Sequence, residues 1–189
     1  MQARADAVRA TRERIVAATV EVFWERPTDQ IALEEVGRRA GVSKQTVLRH
    51  FGTKSELLAT AAAHALEETR AERDDVAPGD VGTAVRALVA HYERIGDGVL
   101  RLLAAEGGSP SLREIADRGR DYHADWCERL FPAALAGHRG ADRDRRLAQL
   151  VAVTDVYVWK LLRHDRGLSR PQTELAIREL LEPLTGGAR

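Results

Sequence analysis

Two short amphipathic segments, around residues 33–40 and 44–50, are joined by only three residues, Gly41-Val42-Ser43. Short helices meeting at a glycine-bearing tight turn form a helix-turn-helix arrangement. Val36, Ala40, Val42, Val47 and Phe51 supply an apolar face that would pin the pair onto a preceding helix, and Ala40 and Gly41 are small where the two helices approach. Ser43 is a natural N-cap for the second helix, whose first turn then offers unpaired backbone N–H groups and the positive end of the helix dipole.

The rest of the chain agrees with a helical setting. Ile15, Ala18, Val22 and Phe23 recur at helical spacing. Thr19 interrupts that stripe, and its hydroxyl is expected to bond back to the preceding turn. Thr53 with Glu56 reads as a capping box, Asp80 as a cap, and Ser111 with Glu114 and Ser169 with Gln172 as further boxes. "ERDDVAPGD" breaks one helix and "GDG" at 96–98 is expected to interrupt another. Pro132 should bend or weaken its helix without a clear stop before Gly137. Residues 142–165 read as the most apolar helix, ended by Gly167. No convincing period-2 alternation occurs, so the expected fold is all-α with about nine helices.

Charge is balanced over the chain but not along it. Residues 1–55 hold ten Arg or Lys against seven acids, and residues 36–54 hold five basic residues and no acid. Two of only three lysines, Lys44 and Lys54, bracket the second helix of the motif, whose exposed face also carries Gln45, Thr46, Arg49 and His50. A face made almost entirely of hydrogen-bond donors suits a polyanion; the plain alternative is a solvated basic face on a core helix. A single cysteine, Cys127, cannot form an internal disulfide and favours a reducing compartment. No signal-peptide pattern opens the chain and no apolar run is long enough to span a membrane, so a cytoplasmic protein is expected.

The stretch "IALEEVGRRAGVSKQTVLRHFGTKSELL", with "RIVAATVEVF" in front of it, resembles the DNA-binding signature of the tetracycline-repressor (TetR) family over about residues 10–60. The resemblance implies a DNA-binding domain at 1–55 and a regulatory and dimerisation domain at 56–189. It also implies a homodimer reading a near-palindromic operator in double-stranded DNA, with half-sites about one helical turn apart. By the same carry-over, Lys44, Gln45 and Thr46 face bases, Thr46, Arg49 and His50 face bases or phosphates, and Lys54 grips a phosphate. Arg38 and Arg12 are further backbone contacts. The chain departs from the family pattern at three positions. Leu48 stands where Tyr is usual. Ala32 stands where a capping Thr is usual, leaving Gln30 or Asp29 to substitute. Gly37 stands where Ala is usual, at a helix-propensity cost of up to about 1 kcal/mol unless close packing requires it.

In the remainder, His91, Tyr92, Tyr122, His123, Trp126 and Trp159 supply aromatic walls and polar tips suited to a small, largely apolar effector, though any one of them could be plain core. Val153, Val156, Leu175 and Leu181 are the expected dimer-interface residues, against a purely internal core. His123 and Cys127 share a helix face at i, i+4, but no further ligand accompanies them, so no metal site and no cofactor are expected. With no phosphate loop or nucleophile motif, no enzyme is expected either. The functional expectation is a DNA-binding transcriptional regulator, most simply a repressor released by a small molecule. The alternatives are an activator, a ligand-independent regulator, or a helical binding module without specific DNA binding.

Overall fold

Helix α1 (Gln2–Glu25) turns its second half inward: Ile15, Val16, Ala18, Thr19, Val22 and Phe23 are buried, while residues 4–10 are exposed. Thr19 sits in that buried stripe with its hydroxyl donating to the Ile15 carbonyl at 2.7 Å, as expected for a small polar residue on an inner face. The structure, a computed structural model, describes residues 2–108 and 110–186. Among these residues the regular structure is entirely helical. After a 3-10 turn at Thr28–Gln30 come α2 (Leu33–Ala40), α3 (Lys44–Phe51), α4 (Lys54–Arg73), α5 (Val81–Ala105), α6 (Pro110–Leu130), the single turn α7 (Pro132–Leu135), α8 (Ala141–Val153), α9 (Val156–Lys160) and α10 (Arg170–Thr185).

The chain folds as two compact units, Met1–Glu68 with Asp97–Ala116, and Thr69–Gly96 with Asp117–Arg189. In the first, Val36 and Ala40 of α2 and Val47 and Phe51 of α3 join the α1 stripe in one core, together with Leu57, Leu58 and Ala61 of α4. Burying each such side chain is worth roughly 1.5–3 kcal/mol, which is what holds two eight-residue helices too short to persist alone. The turn between them is tight. Gly41 adopts φ 68, and the Val42 N–H donates to the Gly37 carbonyl at 2.8 Å. A β-carbon on Gly37 would lie 2.7 Å from the Val42 carbonyl oxygen and 3.3 Å from the Lys44 nitrogen, both backbone atoms. Close packing thus requires the glycine.

The caps follow the sequence at the starts of α3, α4, α5 and α10. Ser43 accepts from the Thr46 N–H, Thr53 and Glu56 bond reciprocally, Asp80 accepts from the Thr83 N–H, and Ser169 with Gln172 closes a full capping box. Two expectations fail. Ala32 caps α2 without any side-chain hydrogen bond, so neither Gln30 nor Asp29 substitutes. Glu34 and Glu35 in the first turn instead set negative charge against the helix dipole. Helix α6 begins at Pro110, before Ser111, whose hydroxyl instead meets Ser55 at 3.2 Å.

Three helix breaks also differ from expectation. Helix α5 runs through "GDG" without interruption. In the first unit Gly98 packs beneath Trp24, and in the second Gly96 packs beneath Trp159; a β-carbon would approach the two indoles to 2.5 and 2.4 Å. The glycines admit aromatic rings rather than ending the helix. Pro132 does mark a clear stop, since α6 closes at Leu130 and the proline opens α7. Conversely, the segment 142–165 is not one helix. It ends as α8 at Val153, Asp155 caps α9 by accepting the Tyr157 N–H at 2.9 Å, and α9 widens into a π-helical turn at Leu161–Asp165.

Gly37→Ala gains up to about 1 kcal/mol of helix propensity but forces a methyl onto backbone, an overpacking that costs about 1–3 kcal/mol. The expected net result is a lower urea midpoint for the variant; an equal or higher midpoint would show that the turn yields freely.

Candidate nucleic-acid interface and a buried polar centre

Ser43 fixes the start of α3, and Val47 and Phe51 fix which side faces inward, so the remaining positions are presented outward. Lys44, Gln45 and Arg49 are exposed, and Thr46, Leu48, His50 and Lys54 are half-buried. Gln45 and Arg49 make no side-chain hydrogen bond or ion pair among the described residues. Thr46 Oγ1 lies 3.1 Å from Ser43 Oγ, within the cap. Lys54 opens α4.

Part of the positive charge is matched inside the unit. Lys44 Nζ donates to Glu34 at 2.8 Å, which holds the Glu34 carboxyl below its usual range. Arg38 forms a two-bonded pair with Glu35, and Arg39 bridges Glu35 and Glu25. Those bonds from Arg38 and then Arg39 draw the Glu35 carboxyl down to about 2. The exposed Lys44–Glu34 pair is weak and salt-screened, so a phosphate can take over that cation at little cost. Arg12 has a different place: its guanidinium stacks 4.3 Å above the Phe51 ring and donates to the His50 carbonyl at 3.0 Å. It therefore clamps the C-terminal end of α3 onto α1.

The six predicted pocket residues all lie in the second unit and all are buried. Tyr92 packs on Trp159, and His123 stacks on Trp126. Against His123, Trp126 and Tyr122 stands a group the sequence reading missed, Arg73, only 3% exposed. Its guanidinium lies 4.1 Å from the Trp126 ring and 5.3 Å from Tyr122, and Nη2 donates to His123 Nδ1 at 3.1 Å. Arginine can only donate, so the His123 proton is on Nε2 and is given to Thr154 Oγ1 at 3.0 Å. Thr154 in turn donates to the Leu150 carbonyl at 2.7 Å. Cys127 Sγ is 3.3 Å from the same hydroxyl, and the Tyr92 hydroxyl donates to the Thr154 carbonyl. The i, i+4 pair His123 and Cys127 thus converges on a threonine. A signal for Arg73 did exist: Leu58, Ala61, Ala65, Thr69 and Arg73 continue one inward stripe of α4 at helical spacing.

Of the residues expected at a dimer interface, Val156 and Leu181 are buried within the second unit's own core and Val153 is half-buried, so the first two present no surface to a partner. Leu175 is exposed, and with it Tyr157, Leu161 and Leu180 on α9, the π-helical turn and α10.

Residues 15–61 match the sequence pattern described as "Bacterial regulatory proteins, tetR family". The chain is also 30% identical over 151 residues to the HTH-type transcriptional repressor LfrR of Mycolicibacterium smegmatis, an alignment covering 69% of this chain and 79% of LfrR. This chain belongs to the TetR family. TetR-type architecture extends over almost all of it. A transcriptional regulator from Rhodococcus sp. Rha1 superposes with a TM-score of 0.71 at 24% identity, covering 94% of this chain and 97% of that one. AibR, in its complex with isovaleryl coenzyme A and operator DNA, gives a TM-score of 0.64 at 14% identity, over 92% and 98% of the two chains. The protein is a TetR-family DNA-binding transcriptional regulator. The family pattern spans the inward half of α1, the α2–turn–α3 motif and the start of α4. No described helix is long and apolar enough to cross a membrane.

Burial, followed by the nearby Arg73 charge, lowers both His91 and His123 to about 3 from an ordinary 6.5. Both rings are neutral when folded and become protonated on unfolding, so their stability contribution is whole above about pH 6.5. It falls as the pH drops from there towards 3, by up to about 1.4 kcal/mol per pH unit for each histidine. Melting temperature should decline from pH 7 to pH 5, and His91→Gln should flatten that decline. A pH-independent melting temperature over this range would contradict the neutral-ring assignment.

Proposed function

We propose that this TetR-family regulator is a homodimeric repressor that leaves a near-palindromic operator when a small molecule binds its second unit. Residues 1–55 serve as the DNA-binding domain and 56–189 as the regulatory and dimerisation domain. The observation that carries this reading is α3. It is an eight-residue helix capped by Ser43, anchored by Val47 and Phe51, and left with Gln45 and Arg49 unengaged on its outer side. In the major groove Lys44, Gln45 and Thr46 meet base edges, while Arg49 and His50 meet bases or phosphates. Lys54 and Arg38 hold phosphates, and Arg12 sets the pitch of α3 besides any backbone contact of its own. The designation of LfrR as a repressor supports the direction of regulation. AibR, seen with an acyl coenzyme A and operator DNA, supports a small-molecule effector.

Self-association is read from the exposed apolar residues Tyr157, Leu161, Leu175 and Leu180 on neighbouring elements. Large apolar side chains this exposed are expected where a partner covers them. In a second copy the same residues would meet themselves about a two-fold axis.

Binding to the DNA upstream of its own gene should exceed binding to random duplex, and equal binding would sink the reading. With about six to eight phosphates contacted per dimer, log K should fall with log salt at a slope of about −5 to −7. Lys54→Ala should weaken all sequences alike, whereas Lys44→Ala and Gln45→Ala should also change the preferred sequence. For the dimer, Leu175→Arg with Leu180→Arg should give a single-chain mass in sedimentation while the helical signal is kept; an unchanged dimer would move the interface elsewhere.

A further inference from the structure

Arg73 is nearly sealed from solvent, yet none of the acids among the described residues forms an ion pair with it. The two nearest in sequence are spoken for: Glu72 pairs with Arg94, and Asp74 accepts from the Tyr122 hydroxyl and from Arg129. The groups in direct contact with the guanidinium are neutral, namely Trp126, Tyr122 and the acceptor nitrogen of His123, while the Asp74 charge acts on it without pairing. Its Nε has no hydrogen-bond partner. Nor has Nδ1 of His91, a ring only 5% exposed whose nearest acid oxygen, on Glu72, is 3.8 Å away. Arginine does not lose its proton in proteins, so the second unit keeps one full positive charge in an aromatic interior. A buried charge without a counter-charge is ordinarily costly enough to be selected away. The idle Nε–H and a second buried ring nitrogen without a partner point the same way.

We propose that Arg73 is the anchor for the acid group of the effector, and that the effector is an organic monocarboxylate with an apolar body. The inference rests on the effector reading above and sharpens it, since the aromatic set alone suggested a merely apolar ligand. A carboxylate offers two oxygens. One suits the idle Arg73 Nε–H and its guanidinium neighbour, and the other a proton on His91 Nδ1. A single negative charge balances a single arginine, whereas a dianionic phosphate would leave excess charge among neutral rings. Trp126, Tyr122, Tyr92 and Trp159 supply the apolar walls for the remainder of the ligand. In the structure Trp126 and Tyr122 lie over Arg73, so the acid enters by parting them and takes the place of ring contacts with a full ion pair.

The test uses the full-length protein and two matched pairs, octanoate with octanamide and benzoate with benzamide. Titrations are followed by melting temperature, tryptophan fluorescence and release of the protein from its upstream DNA. At least one acid should bind, with its amide about ten- to a hundredfold weaker, the range expected for losing a charge-assisted hydrogen-bond pair. Arg73→Met should erase that preference, and Arg73→Lys should retain part of it. Amides binding as well as acids would leave the effector reading standing and overturn the role of Arg73. An acid preference that survives in Arg73→Met overturns it too. If no member of either pair binds or releases DNA at millimolar concentration, the effector reading falls and the acid site with it. The acid–amide comparison on the unaltered protein decides the charge question even if Arg73→Met fails to fold.

Discussion

The 2.8 Å hydrogen bond from the Val42 N–H to the Gly37 carbonyl is the closure on which the reading head is built. It draws the end of α2 against the start of α3 so closely that no β-carbon fits at residue 37. With that distance fixed, Val36, Ala40, Val47 and Phe51 reach the α1 stripe together, and the burial they share outweighs the cost of ordering two very short helices. Ser43 and Arg12 then finish the positioning from either end of α3. The serine satisfies its first turn, and the arginine covers Phe51 while taking up the His50 carbonyl near its last.

The electrostatics of the surface follow from this geometry rather than from net charge. Lys44, Arg38 and Arg39 look like a free positive patch in the sequence, but Arg38 pairs with Glu35 inside α2, and packing brings Glu34 to Lys44 and Glu25 to Arg39. In the second unit the reverse holds. Glu93 gathers the Trp159 indole N–H and the Arg163 guanidinium at one edge, while Arg73 in the interior has only rings and an imidazole. Much of the surface charge around α2 is paired while Arg49 stays open, and the interior leaves one charge unmatched.

Local signals were legible where a single residue type decides the outcome within one helical turn. Ser43, Thr53, Asp80 and Ser169 cap as their sequence contexts suggest, and the α1 stripe and the helix-turn-helix lie where periodicity puts them. What escaped was set by tertiary contact. "GDG" reads as a break until two indoles are seen occupying the space its missing β-carbons leave. An unbroken apolar pattern hides the stop at Val153, because Thr154 and Asp155 turn their side chains to backbone atoms instead of continuing the helix. Val156 and Leu181 read as interface for want of any way to tell a protomer's own core from a shared one. Arg73 lay within a charged run, and only its register on the inward stripe of α4 marked it as different.

Cys127 has a practical consequence. It is the only thiol in the chain, it has no exposed surface, and burial pushes it up to about 11, with Thr154 Oγ1 close by. An alkylating reagent needs both access and a thiolate, and the closed second unit supplies neither. The rate at which this sulfur is modified therefore clocks the opening of the aromatic interior around it, residue by residue silent elsewhere. A chain with one such atom needs no added probe for following how often its interior breathes.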